Sequence, residues 1–253
     1  MDELKGKKAF ITGAADGIGL GIADVFQREG AELVLFDVDQ ELLESRREQF
    51  PDALMIQGDC ANMDDLERAV KDATAGGPVT SLINNAGVGS YNGCVDELSL
   101  DEWDRVMSVN LKGSWYLCKL FIPVMRKNGG GTIVFIGSVH EQVTFARHFP
   151  YNVTKGGIGM LTKSLALDYG KDNIRSVSIS PGWVRTVNNE RFLASVENPE
   201  ETWQKVKDTH PLGRIGEPQE IGEMASFICS DRCCFLNGTS VIVDGGLTAS
   251  MPG

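Results

Sequence analysis

The chain has 253 residues, 42% hydrophobic and 23% charged, an ordinary composition for a globular protein and enough length to bury a sizeable core. A formal net charge of -11 argues against binding a phosphate backbone or an anionic membrane surface, so neither nucleic acid nor membrane is an expected partner. No apolar run approaches the length of a membrane span, and Met1 to Lys8 leads straight into a strand-like stretch without a leader core or cleavage site.

The cysteines (Cys60, Cys94, Cys118, Cys229, Cys233, Cys234) show no C-x-x-C pairing, and several lie in apolar segments. They read as reduced, mostly structural thiols of a cytoplasmic protein. His140, His148 and His210 sit at no ligand spacing, so no metal site is expected.

Short β-branched apolar runs alternate with longer amphipathic ones, the pattern of βαβ units and a parallel sheet. Strands are predicted over Lys8 to Thr12, Leu33 to Asp37, Leu54 to Asp59, Ser81 to Asn85, Gly131 to Gly137, Ile174 to Ser180 and Ser240 to Val243. Helices are predicted over 18–29, 39–49, 63–73, 101–127, 151–170 and 217–229. The longest non-periodic stretch, 183–216, reads as a lid near the strand ends, and no internal repeat or interdomain linker interrupts the chain.

The first strand ends in Thr12-Gly13-Ala14-Ala15-Asp16-Gly17-Ile18-Gly19. Glycines at such a strand-turn-helix junction permit a tight turn and close approach to a pyrophosphate, while the helix directs free N–H groups at the anion. Asp37 closes the second strand about 20 residues later, where a carboxylate can accept from adenosine ribose hydroxyls. Its alternative job, starting the next helix, is open equally to Asp39. A 2′-phosphate would meet Asp37 and also Asp16, so NAD is preferred over NADP.

Asp59-Cys60 closes the third strand where an adenine edge would lie, and Asn84-Asn85-Ala86-Gly87 closes the fourth with small residues against which a cofactor can rest. Asn110, on a predicted helix, reads from the residues alone as a satisfied polar core group. Ser138 ends the fifth strand thirteen residues before Tyr151, close enough for a short loop to bring its hydroxyl over that residue.

The stretch Tyr151-Asn152-Val153-Thr154-Lys155 stacks a phenol beside an ammonium on one helix face. A free phenol ionises near pH 10, so acting as a base near neutrality requires roughly 4 kcal/mol of preferential stabilisation of the phenolate. One cation about 4 Å away at an effective dielectric near 20 supplies about that much before screening.

T-G-x-x-x-G-x-G, N-N-A-G, a mid-chain Asn, a Ser, Y-x-x-x-K and Pro181-Gly182-x-x-x-Thr186 together resemble the short-chain dehydrogenase/reductase family over essentially the whole chain. The resemblance implies an α/β fold, a single doubly wound Rossmann-type domain over 1–253 with a seven-stranded parallel sheet. It implies hydride transfer between a nicotinamide and a hydroxyl-bearing or carbonyl carbon. Tyr151 would be the general acid/base, Lys155 would lower its pKa and bind the nicotinamide ribose, Ser138 would hold the substrate oxygen, and Asn110 would anchor a relay water. Gly13, Asp16, Gly17, Ile18, Gly19, Asp37, Asp59, Cys60, Asn85, Ala86 and Gly87 would hold NAD, with Pro181, Gly182, Val184 and Thr186 at the carboxamide. Two departures are Thr154 before the lysine and Gly137 before Ser138, each where Ser is usual. The family also implies a homotetramer or homodimer, built on helices 101–127 and 151–170 and on the tail from Asp244 to Gly253.

The segments expected to set specificity carry His140, Glu141, Arg147, His148, Trp183, Arg185, Asn188, Asn189 and Arg191, which are polar for a steroid or acyl site. Ser138-Val139-His140-Glu141 is similar to the matching run in bacterial glucose 1-dehydrogenases of the family. The expected small-molecule substrate is therefore a sugar or polyol, with an acidic sugar also open to the arginines. A ketone or hydroxysteroid-type reductase is the alternative if Trp183, Phe192 and Phe149 line the pocket. A catalytically idle NAD-binding scaffold is a further one, against which the intact Asn110, Ser138, Tyr151 and Lys155 argue.

Overall fold

The computed structural model describes residues 2–89 and 93–249. All seven predicted strands form, each end within two residues of expectation: β1 (Lys8–Thr12), β2 (Glu32–Asp37), β3 (Leu54–Gln57), β4 (Ser81–Asn84), β5 (Gly131–Ile136), β6 (Ile174–Pro181) and β7 (Thr239–Val243). They pair in parallel in the order β3-β2-β1-β4-β5-β6-β7. The fold is a doubly wound Rossmann-type α/β sheet.

Strand alternation explains why both faces need helices. Ala9, Ile11, Leu33, Leu35, Ile83, Val134, Ile136, Val177 and Ile179 point to one face and pack on α1 (Gly17–Arg28) and α9 (Pro218–Cys229). Phe10, Val34, Phe36, Leu82, Ile133 and Phe135 point to the other, under α3 (Met63–Thr74), α5 (Ser114–Lys127) and α6 (Tyr151–Tyr169). α2 (Gln40–Ser45) is shorter than the predicted 39–49.

The predicted helix 101–127 is not continuous. α4 (Leu100–Met107) passes into a π-helical segment at Ser108–Gly113 before α5 begins. The interruption has two fastenings. Asn110 exchanges hydrogen bonds with the Val88 backbone, and Gly113 lies so close to β3's end that a Cβ there would stand 2.4 Å from the Cys60 carbonyl.

The stretch 183–216, expected to lack periodic structure, contains two helices, α7 (Val187–Ser195) and α8 (Pro199–Asp208). Their signals were local: Thr186 caps α7 by accepting from Asn189 N–H, and α8 opens on Pro199 with Glu200 and Glu201 in its first turn and Lys205 and Lys207 in its last. The tail expectation reaches residues 250–253, which lie outside the described residues.

Strand order reverses between β1 and β4, so the crevice above their C-terminal ends is the place where such sheets bind ligands. Thr12 closes its floor. Its hydroxyl accepts from the N–H groups of Asn85 and Ala86 at 3.0 and 2.9 Å, while the Asn85 amide donates back to the carbonyls of Thr12 and Gly13 at 2.8 and 3.0 Å.

Two stability outcomes follow from these contacts. Thr12→Val orphans two backbone N–H groups and should cost about 2–4 kcal/mol, whereas Thr12→Ser should cost under about 1; denaturant unfolding of both variants checks this. Gly21→Ala gains about 1 kcal/mol of helix propensity but drives its methyl to 2.5 Å from Pro218 Cβ and 2.8 Å from the Pro218 carbonyl, a clash costing about 1–3 kcal/mol, so melting should fall.

Candidate active site

The glycine turn is shaped by its contacts. Gly13 and Gly17 have φ of 62° and 55°, and a Cβ on Gly19 would meet the Gly13 carbonyl at 1.9 Å. Asp16 caps α1, its carboxylate accepting from Gly17 N–H at 2.6 Å. The N–H groups of Ile18 and Gly19, in the first helical turn, have no intrahelical acceptor and point toward an anion's place. Across the crevice stands Thr186, whose methyl is 3.2 Å from where a Gly17 Cβ would be.

At β2's end, Asp37 accepts from Ala15 N–H at 2.9 Å and Asp39 N–H at 3.1 Å, which fixes its carboxylate beside the turn. Arg46 reaches the same turn, donating to the Ala15 carbonyl at 3.0 Å. Sequence reading passed over Arg46, because no motif marks an arginine whose reach depends on where α2 stops. Asp59 accepts from Ala61 N–H at 2.8 Å. The Cys60 thiol faces the core, and burial, aided by the Asp59 and Asp37 carboxylates, pushes it up to about 12; any cofactor contact there falls to backbone.

A continuous set of contacts leads from this turn to α6. Ala86 and Asn85 hold Thr12; Gly87 and Val88 follow, with Val88 N–H donating to Asn110 Oδ1 at 2.8 Å and Asn110 Nδ2 donating to the Val88 carbonyl at 3.1 Å and to Thr154 Oγ1 at 3.4 Å. Asn110 is 2% exposed, and its amide is fully occupied by protein. Thr154 is fully buried and its hydroxyl also donates to the Tyr151 carbonyl.

Lys155, 6% exposed, donates to the Ile136 carbonyl at 2.7 Å, and its ammonium lies 5.3 Å from the Tyr151 ring centroid. Two of its three donors have no protein acceptor among the described residues, so they are open to the hydroxyls of a bound ribose. Ile136 is the last residue of β5, two before Ser138, so the lysine ties α6 to the strand end that carries the serine.

Ser138 is buried and accepts from His140 N–H at 3.3 Å. The His140 ring meets the Tyr151 ring edge-on at 5.7 Å and stacks on His148 at 5.0 Å, while its Nδ1 bonds Thr144 Oγ1 at 2.8 Å. Burial, reinforced by His148 and the Lys155 cation, pushes His140 down from 6.5 to about 4, so it is neutral at pH 7.

Other expected substrate residues are placed differently. Arg147 is paired with Glu97 at 2.8 Å and donates to Cys94 Sγ at 3.2 Å, so its charge is already neutralised. Arg185 is likewise held by Glu217 and Glu190. Trp183 packs on Phe192 with centroids 6.3 Å apart, and Phe149 stacks on Trp103 at 5.3 Å. Asn188 is exposed on α7. Val184 is buried in the core, and its carbonyl accepts from Asn189 at 2.8 Å. Gly182 N–H, after Pro181, donates to the Val243 carbonyl at 3.1 Å.

A family model described as enoyl-(acyl carrier protein) reductase matches residues 13–248. The oxidoreductase UcpA of Escherichia coli (strain K12) is 36% identical, with 98% of this chain and 97% of that protein covered. Among solved structures, a candidate gluconate dehydrogenase from Agrobacterium tumefaciens superposes with a TM-score of 0.92 at 30% identity, covering 99% of both chains. A 3-ketoacyl-(acyl-carrier-protein) reductase from Brucella melitensis, complexed with NADH, has a TM-score of 0.88 at 31% identity, covering 97% of this chain and 99% of that one. With the glycine turn, the Tyr151–Lys155 pair and Ser138 set around one switch point, this chain belongs to the short-chain dehydrogenase/reductase family of oxidoreductases.

Proposed function

We propose that this chain is an NAD-dependent dehydrogenase that interconverts a hydroxyl and a carbonyl on a sugar- or polyol-like substrate, working as one domain with 183–216 as its lid. The observation that carries the reading is the neutral His140 ring against Tyr151, one nitrogen held by Thr144 and the other without a hydrogen-bond partner among the described residues, so that it can bond a substrate hydroxyl. His148 extends this polar wall. Trp183 and Phe192 pack on each other and Phe149 on Trp103, which favours the polar substrate over the ketone or hydroxysteroid reading. An acidic substrate gains little, because Arg147 and Arg185 already face carboxylates.

In this reading Tyr151 passes the proton to or from the reacting oxygen, Ser138 holds that oxygen, and Lys155 favours the phenolate and binds the ribose. Bound NAD supplies the hydride acceptor. Asn110 has spent its side chain on Val88 and Thr154, so a relay water would rest on its main-chain carbonyl, which also accepts from Ser114 at 3.1 Å. Asp37 takes the adenosine ribose and disfavours a 2′-phosphate. Gly13, Gly17, Ile18 and Gly19 cradle the pyrophosphate, with Pro181, Gly182, Val184 and Thr186 across from them. A homotetramer or homodimer would cover the apolar side chains that α4, α5 and α6 leave exposed, Leu100, Trp115, Met160 and Leu167.

Turnover of sugars, polyols and plain secondary alcohols with NAD and NADP tests the reading. Polyhydroxylated substrates should be preferred; activity confined to apolar alcohols overturns that choice. Tyr151→Phe should lower kcat by about 10²–10⁴ while leaving NAD affinity within about twofold, and near-normal turnover would remove Tyr151 from the role. Asp37→Ala should narrow the NAD-over-NADP preference by about tenfold or more, since Arg46 then meets the 2′-phosphate; unchanged discrimination would show the ribose is read elsewhere.

A further inference from the structure

Under α6, β6 carries hydroxyls where its neighbour carries apolar side chains. Ile133 and Phe135 of β5 belong to the core on that face, whereas the alternating β6 positions after Ile174 are Ser176, Ser178 and Ser180, all fully buried. The β6–β7 register sets Ser178 against Ser240. Both hydroxyls donate to one carboxylate, Ser178 to Glu141 Oε1 at 2.5 Å and Ser240 to Glu141 Oε2.

Two glycines make the room. A Cβ at Gly137 would stand 1.7 Å from Glu141 Oε1, and one at Gly159 of α6 would stand 2.8 Å from Oε2. The first explains why Gly137 replaces the more usual Ser before Ser138. Four positions, after β5, on β6, on α6 and on β7, are thus fitted to a single carboxylate whose partners are both neutral.

Glu141 ends the short 3-10 turn (Val139–Glu141) that follows Ser138, and its N–H donates to the Ser138 carbonyl at 2.9 Å. Residues 142–147 beyond it are all exposed. The turn is therefore held at one end by β5 and the buried Val139, while Glu141 is its one side chain that hydrogen-bonds β6 and β7 among the described residues. We propose that Glu141 is a positioning residue: seated between Ser178 and Ser240, its carboxylate holds Ser138 and His140 in place against Tyr151. This rests on the roles given to Ser138 and Tyr151 above, but Glu141 itself touches neither substrate nor cofactor.

Ring-proton NMR titration of the full chain tests it, with His140 assigned by loss of its signal in His140→Gln. The groups facing His140 are His148, Lys155, Tyr151, Thr144 and Phe145. In the parent protein His140 should titrate near 4. In Glu141→Ala the released turn should let it climb by about one pH unit or more toward its ordinary 6.5. Removing an anion by itself acts the other way, since it withdraws a charge that favours imidazolium. Glu141→Gln keeps the anchor and should stay near the parent value. If Glu141→Ala does not fold, the Ser178→Ala, Ser240→Ala pair removes both donors and is read the same way. A His140 titration that does not rise overturns the assignment. Glu141→Ala should also lower kcat by about tenfold, with NAD affinity within about twofold. Should Tyr151→Phe keep its turnover, the catalytic reading fails, yet the histidine titration still decides whether Glu141 holds the turn.

Discussion

The architecture depends on one hydroxyl at the switch point. Thr12 stands where β1 and β4 part company, and its Oγ accepts from two consecutive N–H groups of the neighbouring strand's exit. Two adjacent parallel strands whose crossovers run in opposite directions leave a gap above their ends, and backbone groups at such a gap must find partners or be hydrated. Thr12 and Asn85 satisfy them from within. The crevice thus has a dry, fixed floor, and the glycine turn sits on it at a set height.

From that floor the remaining site is assembled by polar side chains that reach backbone groups or hydroxyls of other elements. Asn110 reaches Val88, Lys155 reaches Ile136, and Glu141 reaches across to β6 and β7. Each is a polar side chain taken mostly out of water, which is costly unless paired. The pairings here reach separate segments, so each bond also registers one element against another. A buried lysine with a single carbonyl partner retains donor capacity, which suits a group that must bind a cofactor as well as hold the fold.

Much of this was legible in the sequence. Short continuous β-branched apolar runs identified all seven strands, because a parallel sheet covered on both faces asks for apolar side chains on both. The glycine turn, Asp37 and the Tyr151–Lys155 spacing are local geometry and could be read from neighbours along the chain. The paired fates of Arg147 and Arg185 could not: their carboxylate partners, Glu97 and Glu217, lie tens of residues away. Gly137 looked like a neutral departure for the same reason, since its obligation to Glu141 arises only when the turn folds back. The helices in 183–216 escaped notice although their caps were visible, because neither presents a broad apolar face; among α8's residues none is buried.

The π-helical segment at Ser108–Gly113 carries one more residue per turn than its flanks require. Each helical residue turns the chain by about 100°, so the surplus residue offsets the faces of α4 and α5 by about that angle. Excising a single amino acid here would join the two as continuous α-helix, but would turn α4 by about that angle relative to α5 and carry Asn110, inside the segment, off its Val88 partner. Length at this point of the polypeptide is therefore as constrained as identity.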